Sequence, residues 1–467
     1  MSSMAGGLMR KNTPLVAWLG DDFTGSAAVM EVLHFAGIPS VLFTDAPSPA
    51  LLDRFADARG IGIATTARAH DPAWMADNLP PLFRVLAALN PALLHYKICS
   101  TFDSSPGRGS IGAAIGAGLQ VRPARAVPLL TAAPAMRRYQ AFGHLFAGTD
   151  QGVFRLDRHP VMAHHPATPM AESDLLRHLS AQTNLPAALI DLEDLADPQP
   201  RLDALLDQGA RILSIDGMDA ASEAAAGRLI WDNRDRLGLV AGSQGVEYAL
   251  VRHWQDIGMI PPAPPAASAG AVDRIAAVSG SVSPVTAAQL DWAAGNGFAL
   301  IAFDARAVCG SDTDLRSEET RATRAALAEA AQGQSPLVHS AAGHDGPQVT
   351  AFRRTLATSG TDPETANRRI GQALGRILDA TLRGSGIRRA VISGGDSSGH
   401  AMRQLGLSAL VAKAPTIPGA ALSQAFGDAP HDGLEIALKG GQMGSQDYFG
   451  WIRDGGGPRD TTRKAQP

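Results

Sequence analysis

Short apolar runs alternate with longer stretches of helical spacing along most of the 467 residues. In the first half, the runs at 15–19, 40–44, 60–65, 93–98, 126–131, 188–191, 211–215 and 239–241 read as strands, with helical patterns such as 26–36 and 221–236 between them. The second half repeats the style, with strands expected at 275–278, 299–303, 337–339, 390–392 and 434–438. This alternation predicts an α/β fold of two domains, each a largely parallel sheet flanked by helices. Between the halves, 261–270 reads PPAPPAASAG, which lacks the bulky apolar residues a core needs and behaves as a semi-rigid linker. The expected division is therefore 1–258, a linker over 259–271, 272–455, and a disordered tail over 456–467. Length agrees, because a chain of this size exceeds the usual single core.

Ligands of open α/β sheets gather beyond the carboxyl ends of strands, so the residues just after each run are the candidates for chemistry. The first such loop is GDDFTGS, which sets Asp21 and Asp22 side by side before a helix. Adjacent carboxylates suit a general base or a grip on several hydroxyls, provided a cation or hydroxyl donor stands opposite. Helix capping is the competing explanation. A second loop carries Lys97, Ser100, Thr101 and the glycine-flanked Arg108. A lysine beside hydroxyls, followed by an arginine, can hold a carboxylate or phosphate through charge-assisted hydrogen bonds. An ordinary polar turn has the same look. Around His165, the stretch RHPVMAHHPATPM matches no metal-site spacing and reads as a substrate-facing loop. AGSQG at 241–245 would open a helix and offer its N–H groups to an anion.

Glycine turns accumulate in the second half. SGSVSP contains Ser281 and Ser283, the latter placed to cap a helix that starts at Pro284. SGGDSSG holds Gly394, Gly395, Asp396, Ser397 and Ser398 ahead of a helix expected from His400. KGGQMG holds Gly440 and Gly441, with a further helix expected behind it, and Gly419 sits in the intervening IPGA. None of these three loops reads GxxxxGK[ST] or GxGxxG. Glycine nevertheless lets backbone N–H groups approach phosphate, and three strand–glycine–helix loops together point to polyphosphate binding. Asp396 is the candidate for holding Mg²⁺, or else another helix cap.

Composition narrows the classes. A formal charge of −4 supplies no broad basic footprint for nucleic acid. The chain has no long apolar window, no secretory pattern at its start and only two cysteines, Cys99 and Cys309, so a cytoplasmic location is expected.

Taken in order, GDDFTG, YKICSTFDSS, HHPATPM, SGSVSPVT, SGGDSSG and LKGGQMG resemble the blocks of the four-carbon acid sugar kinase family over nearly the whole chain. The resemblance implies a sugar-acid-binding N-terminal domain, an ATP-binding C-terminal domain and phosphoryl transfer across a cleft between them. It places Asp21, Asp22, Lys97, Ser100 and Thr101 on the sugar-acid side. Ser281, Ser283, Gly394 to Ser398, Gly419 and Gly441 fall on the ATP side. The second block, with Cys99, Phe102 and Asp103, is closer to the 3-oxotetronate branch, while the following SSPGRGSIG departs from it. A 3-oxotetronate is therefore the expected substrate, with 3-oxo-isoapionate, threonate and erythronate as competitors. The expected partners are the sugar acid and ATP with Mg²⁺, and a homodimer is the assembly to test. A nicotinamide-dependent dehydrogenase or a non-catalytic sugar-acid sensor are the rivals from other classes.

Overall fold

A computed structural model describes residues 13–149, 151–164, 168–343, 346–394 and 396–459. His165 and Gly395 lie outside the described residues, as do the side chains of Asp396 and Ser397. By contact the chain separates into two compact units, one of Met1–Asp21 with Val32–Ala263 and one of Asp22–Glu31 with Pro264–Pro467. A boundary between units thus falls on the Asp21–Asp22 peptide bond, which no composition shift marks.

The first unit contains β1 (Val16–Gly20), β2 (Ser40–Phe43), β3 (Gly60–Ala64), β4 (Leu93–Lys97), β5 (Val127–Leu130), β6 (Arg138–Ala141), β7 (His144–Thr149), β8 (Gly152–Arg155), β9 (Ala187–Ile190), β10 (Ile212–Ile215) and β11 (Leu239–Gly242). Eight of these lie in the order β2-β3-β1-β4-β11-β5-β10-β9, all parallel. Every residue of β1, β3 and β4 is buried, as expected for strands covered on both faces, which explains why β1 and β3 carry no polar side chain. A small antiparallel sheet, β6-β7-β8, was not foreseen. Its strands are short, mostly half-buried and mix polar with apolar residues, so neither a long apolar run nor a clean alternation announces it.

The second unit contains β12 (Ala276–Ser279), β13 (Phe298–Ala302), β14 (Ser335–His339), β15 (Arg389–Ser393), β16 (Leu407–Ala414), β17 (Leu422–Gly427) and β18 (Glu435–Lys439). They run β13-β14-β12-β15-β18-β17-β16, the first five parallel and the last two antiparallel. Strands β16 and β17 are additions to the sequence reading. Ala277, Leu337, Val391 and Ala437 share one face and pack with Leu290, Phe298, Tyr448 and Phe449. Each fully buried large apolar side chain there contributes about 1.5–3 kcal/mol.

Local chemistry sets the helix ends. Ser283 caps Pro284–Ala294 by accepting the Val285 N–H at 3.2 Å, as its place before proline suggested. Asp219 and Ser222 form a reciprocal capping box on Ala220–Asp232. Two expected helix starts move. The helix after the middle glycine loop begins at Asp396 rather than His400, and the one after the last glycine loop begins only at Tyr448. The tail also differs from expectation at its start. Gly457 N–H donates to Pro415 O at 2.7 Å, and Arg459 pairs with Asp447 while lying 4.1 Å over the Trp451 ring. Residues 460–467 lie outside the described residues.

Candidate active site

In the first unit, register aligns Gly20 with Lys97 and Lys97 with Gly242, so three strands end together. Backbone bonds continue past the strands, Asp21 N–H to Lys97 O at 3.0 Å and Ile98 N–H to Gly242 O at 2.8 Å. Beneath them His95 shares a 2.7 Å bond with Glu247, and its other ring nitrogen lies 3.1 Å from Gly242 O. The Lys97 side chain is 1% exposed and its Nζ donates to Ile98 O at 2.6 Å.

Asp21, 4% exposed, has the cation its position demanded. Arg68 grips it with two bonds, Nε to Oδ2 at 3.0 Å and Nη2 to Oδ1 at 2.8 Å, and the Arg68 N–H donates to Asp21 O. Arg68 sits in a short turn after β3, and it escaped the sequence reading because 47 residues separate it from Asp21. Asp22 is half-buried and does cap its helix, accepting the Gly25 N–H at 2.8 Å and the Thr24 hydroxyl at 2.7 Å. Capping and catalysis are compatible, because a helix N-terminus also stabilises an anion poised to act.

The loop after β4 is tightly determined. Thr101 donates to Asp103 at 2.8 Å, and Ser104 bonds to Phe102 O and to His178. Phe102 is fully buried with φ of 58°, a left-handed conformation unusual for a bulky residue and a form of strain concentrated at functional sites. Gly109 N–H donates to His70 O at 2.8 Å, which fixes the turn carrying Arg108. Burial pushes the Cys99 thiol up to about 11, so it has no thiolate for nucleophilic chemistry at neutral pH. Arg138 on β6 is another residue missed from sequence, and burial lowers its guanidinium despite the nearby Asp103 carboxylate. Its Nε is buried without a hydrogen-bond partner among the described residues. The AGSQG turn is less suggestive than its sequence. Ser243 donates to Thr131 O, and a Cβ on Gly245 would fall 1.7 Å from Ala132 O, so close packing explains that glycine.

In the second unit the three glycine loops leave adjacent strand ends. Ser279, Ser393 and Lys439 are in register on β12, β15 and β18. Gly280 N–H donates to Ser393 O at 2.9 Å and Gly394 N–H to Lys439 O at 2.8 Å. Thr286 donates to Gly441 O at 2.7 Å, and a Cβ on Gly441 would lie 2.3 Å from Ser281 Oγ, so only glycine lets the two loops meet. Ser398 donates to Gly394 O.

Gly419, at φ 84°, joins this unit through Glu31. Glu31 accepts the Gly419 N–H at 3.0 Å and the Ala421 N–H at 3.3 Å, and burial pushes its carboxyl up to about 8 against those donors. A carboxyl raised in this way is protonated in the folded chain and ionised in the unfolded one between about 4.5 and 8. Its contribution to stability is full below about 4.5 and is lost as pH rises through 8. Wild-type protein should therefore lose several degrees of melting temperature between pH 6 and 9 through this residue. Glu31→Gln, which keeps an acceptor without the charge, should flatten that decline when melting is followed across the range. Parallel pH profiles for the two proteins would exclude the assignment.

Comparison with known proteins agrees with both halves. A family model described as a sugar-binding N-terminal domain matches residues 16–250, and one described as a nucleotide-binding C-terminal domain matches 276–449. The chain is 44% identical to a 3-oxo-isoapionate kinase of Paraburkholderia graminis, over 94% of each chain. It is 29% identical to a 3-oxo-tetronate kinase of Pseudomonas fluorescens, over 93% of this chain and 96% of that one. A Salmonella typhimurium crystal structure described as a tRNA synthase superposes with a TM-score of 0.73 at 23% identity, covering 94% and 98%, which bears on the fold alone. Two domain matches in the order sugar then nucleotide, with similarity running the length of a kinase, place the chain in the four-carbon acid sugar kinase family.

Proposed function

We propose that this protein uses ATP to phosphorylate the terminal hydroxyl of a 3-oxo sugar acid. The observation that carries the reading is that three glycine loops leave the adjacent, in-register ends of β12, β15 and β18, the edge of a parallel sheet where ligands bind. The 44% against 29% identities favour 3-oxo-isoapionate as the first substrate to try and 3-oxotetronate as the second.

In this mechanism Lys97, Arg108 and the buried Nε of Arg138 take the substrate carboxylate and oxo group. Asp21, held by Arg68, accepts hydrogen bonds from substrate hydroxyls. Asp22 receives the proton as the terminal hydroxyl oxygen bonds to the γ-phosphorus, the bond to the β–γ bridging oxygen breaks, and ADP leaves. Asp22 suits this better than Asp21 because it is half-buried at a helix start, whereas Asp21 is buried and gripped by Arg68. The Asp396 side chain, the expected Mg²⁺ ligand, lies outside the described residues. Among the described residues no group of three acidic, histidine or cysteine side chains could hold a metal. When bound, Mg²⁺ neutralises phosphate charge.

The test is ADP release measured with 3-oxo-isoapionate, 3-oxotetronate, threonate and erythronate. One of the two 3-oxo acids should exceed both unoxidised acids in kcat/KM by about 100-fold or more, since donors built for the oxo group lose their partner otherwise. ADP release with none of the four would reject the reading.

A further inference from the structure

The nucleotide half contains a charged group that none of the glycine motifs explains. Lys439 ends β18, is fully buried, and donates only to Gly440 O at 3.0 Å and weakly to Thr286 Oγ1 at 3.5 Å. Among the described residues it has no carboxylate partner. Its neighbours in register are Ser393 and Ser279, then His339. Residues in register on parallel strands share a face, and two positions earlier that face carries Ala437, Val391, Ala277 and Leu337 of the core. A row of polar side chains therefore caps the apolar core beneath the glycine loops.

Two further atoms in this row are unaccounted for. The hydroxyls of Ser279 and Ser393, 0% and 1% exposed, have no hydrogen-bond partner among the described residues. A buried ammonium with no carboxylate partner among the described residues, in a row with two unpaired hydroxyls, is expensive to keep unless an anion completes it.

Resting on the kinase reading, we propose that Lys439 is a phosphate-binding residue of the nucleotide site, at the end of a row that continues through the Ser393 and Ser279 hydroxyls. Burial lowers its ammonium to about 7 when no anion is present. Among the described residues, groups on the surrounding elements supply no compensating charge. Burial drives the Tyr448 hydroxyl strongly upward and His339 downward, and Glu31 at about 8 is mostly neutral at pH 7. Glu435, at the opposite end of β18, is paired with Arg389 and Lys413, and Asp447 is paired with Arg459. Polyphosphate arriving here would pull the lysine to its charged form, so binding at pH 8 should take up a proton.

Calorimetry of a non-hydrolysable ATP analogue with Mg²⁺, run at pH 8 in buffers of different ionisation enthalpy, reads both affinity and proton uptake. Wild type should take up close to one proton per nucleotide. Lys439→Arg, charged at every pH used, should keep affinity within about 10-fold and lose the uptake. Lys439→Met should lose both, with affinity down about 10- to 150-fold, the range expected for a charge-assisted hydrogen bond. Unchanged affinity in Lys439→Met, or wild-type binding without uptake, would overturn the assignment. The wild-type measurement stands even where the Met variant fails to fold. A wild type that binds no analogue at all would instead overturn the kinase reading beneath it.

Discussion

Asp22→Asn should lower kcat by about 10²- to 10⁴-fold, the usual contribution of a positioned general base, while leaving binding of an ATP analogue unchanged. Asparagine is as good a helix cap as aspartate, so it can still accept the Gly25 N–H that Asp22 now accepts at 2.8 Å. It cannot accept the proton of an attacking hydroxyl. The substitution therefore separates two roles that coincide on one carboxylate. A residue that only caps would show near-normal turnover in Asp22→Asn and a loss of about 0.5–2 kcal/mol of stability in Asp22→Ala. Stopped-time ADP release for the first variant and melting curves for both decide between them.

Lys97→Met should raise the KM for the sugar acid by about 10- to 150-fold, the value of one charge-assisted hydrogen bond of 1.5–3 kcal/mol, with the KM for ATP unmoved. Methionine is unbranched like lysine and only one atom shorter, and it suits a site where the side chain is 1% exposed, so packing is largely kept. Were Lys97 merely tying down the loop through Ile98 O, the variant would melt earlier and bind the acid as before. Steady-state kinetics with each substrate varied in turn separates those outcomes.

The two lysines occupy equivalent places in their units. Lys97 ends β4 and Lys439 ends β18, both are buried, and each donates to the carbonyl of the following residue. A strand end is where a parallel sheet exposes its ligand-binding edge, so a cation there meets an incoming anion without crossing the core. The same reasoning separates them from surface lysines, which keep their charge in water and have little to gain from one specific partner.

Most of the parallel strands, and the loops that follow β1, β4, β12, β15 and β18, could be read from sequence because their cause is local. Covered strands need continuous apolar runs, and glycine beside serine before a helix marks a turn whatever surrounds it. Tertiary structure alone decided which side chains meet. Arg68 reaches Asp21 because β3 pairs beside β1, and Arg138 comes near Asp103 on a sheet of short, mixed strands that does not announce itself. Glu31 bonds to Gly419 across 388 residues of chain. Charge pairing and burial depend on distance in space, and periodicity along a chain carries no record of that.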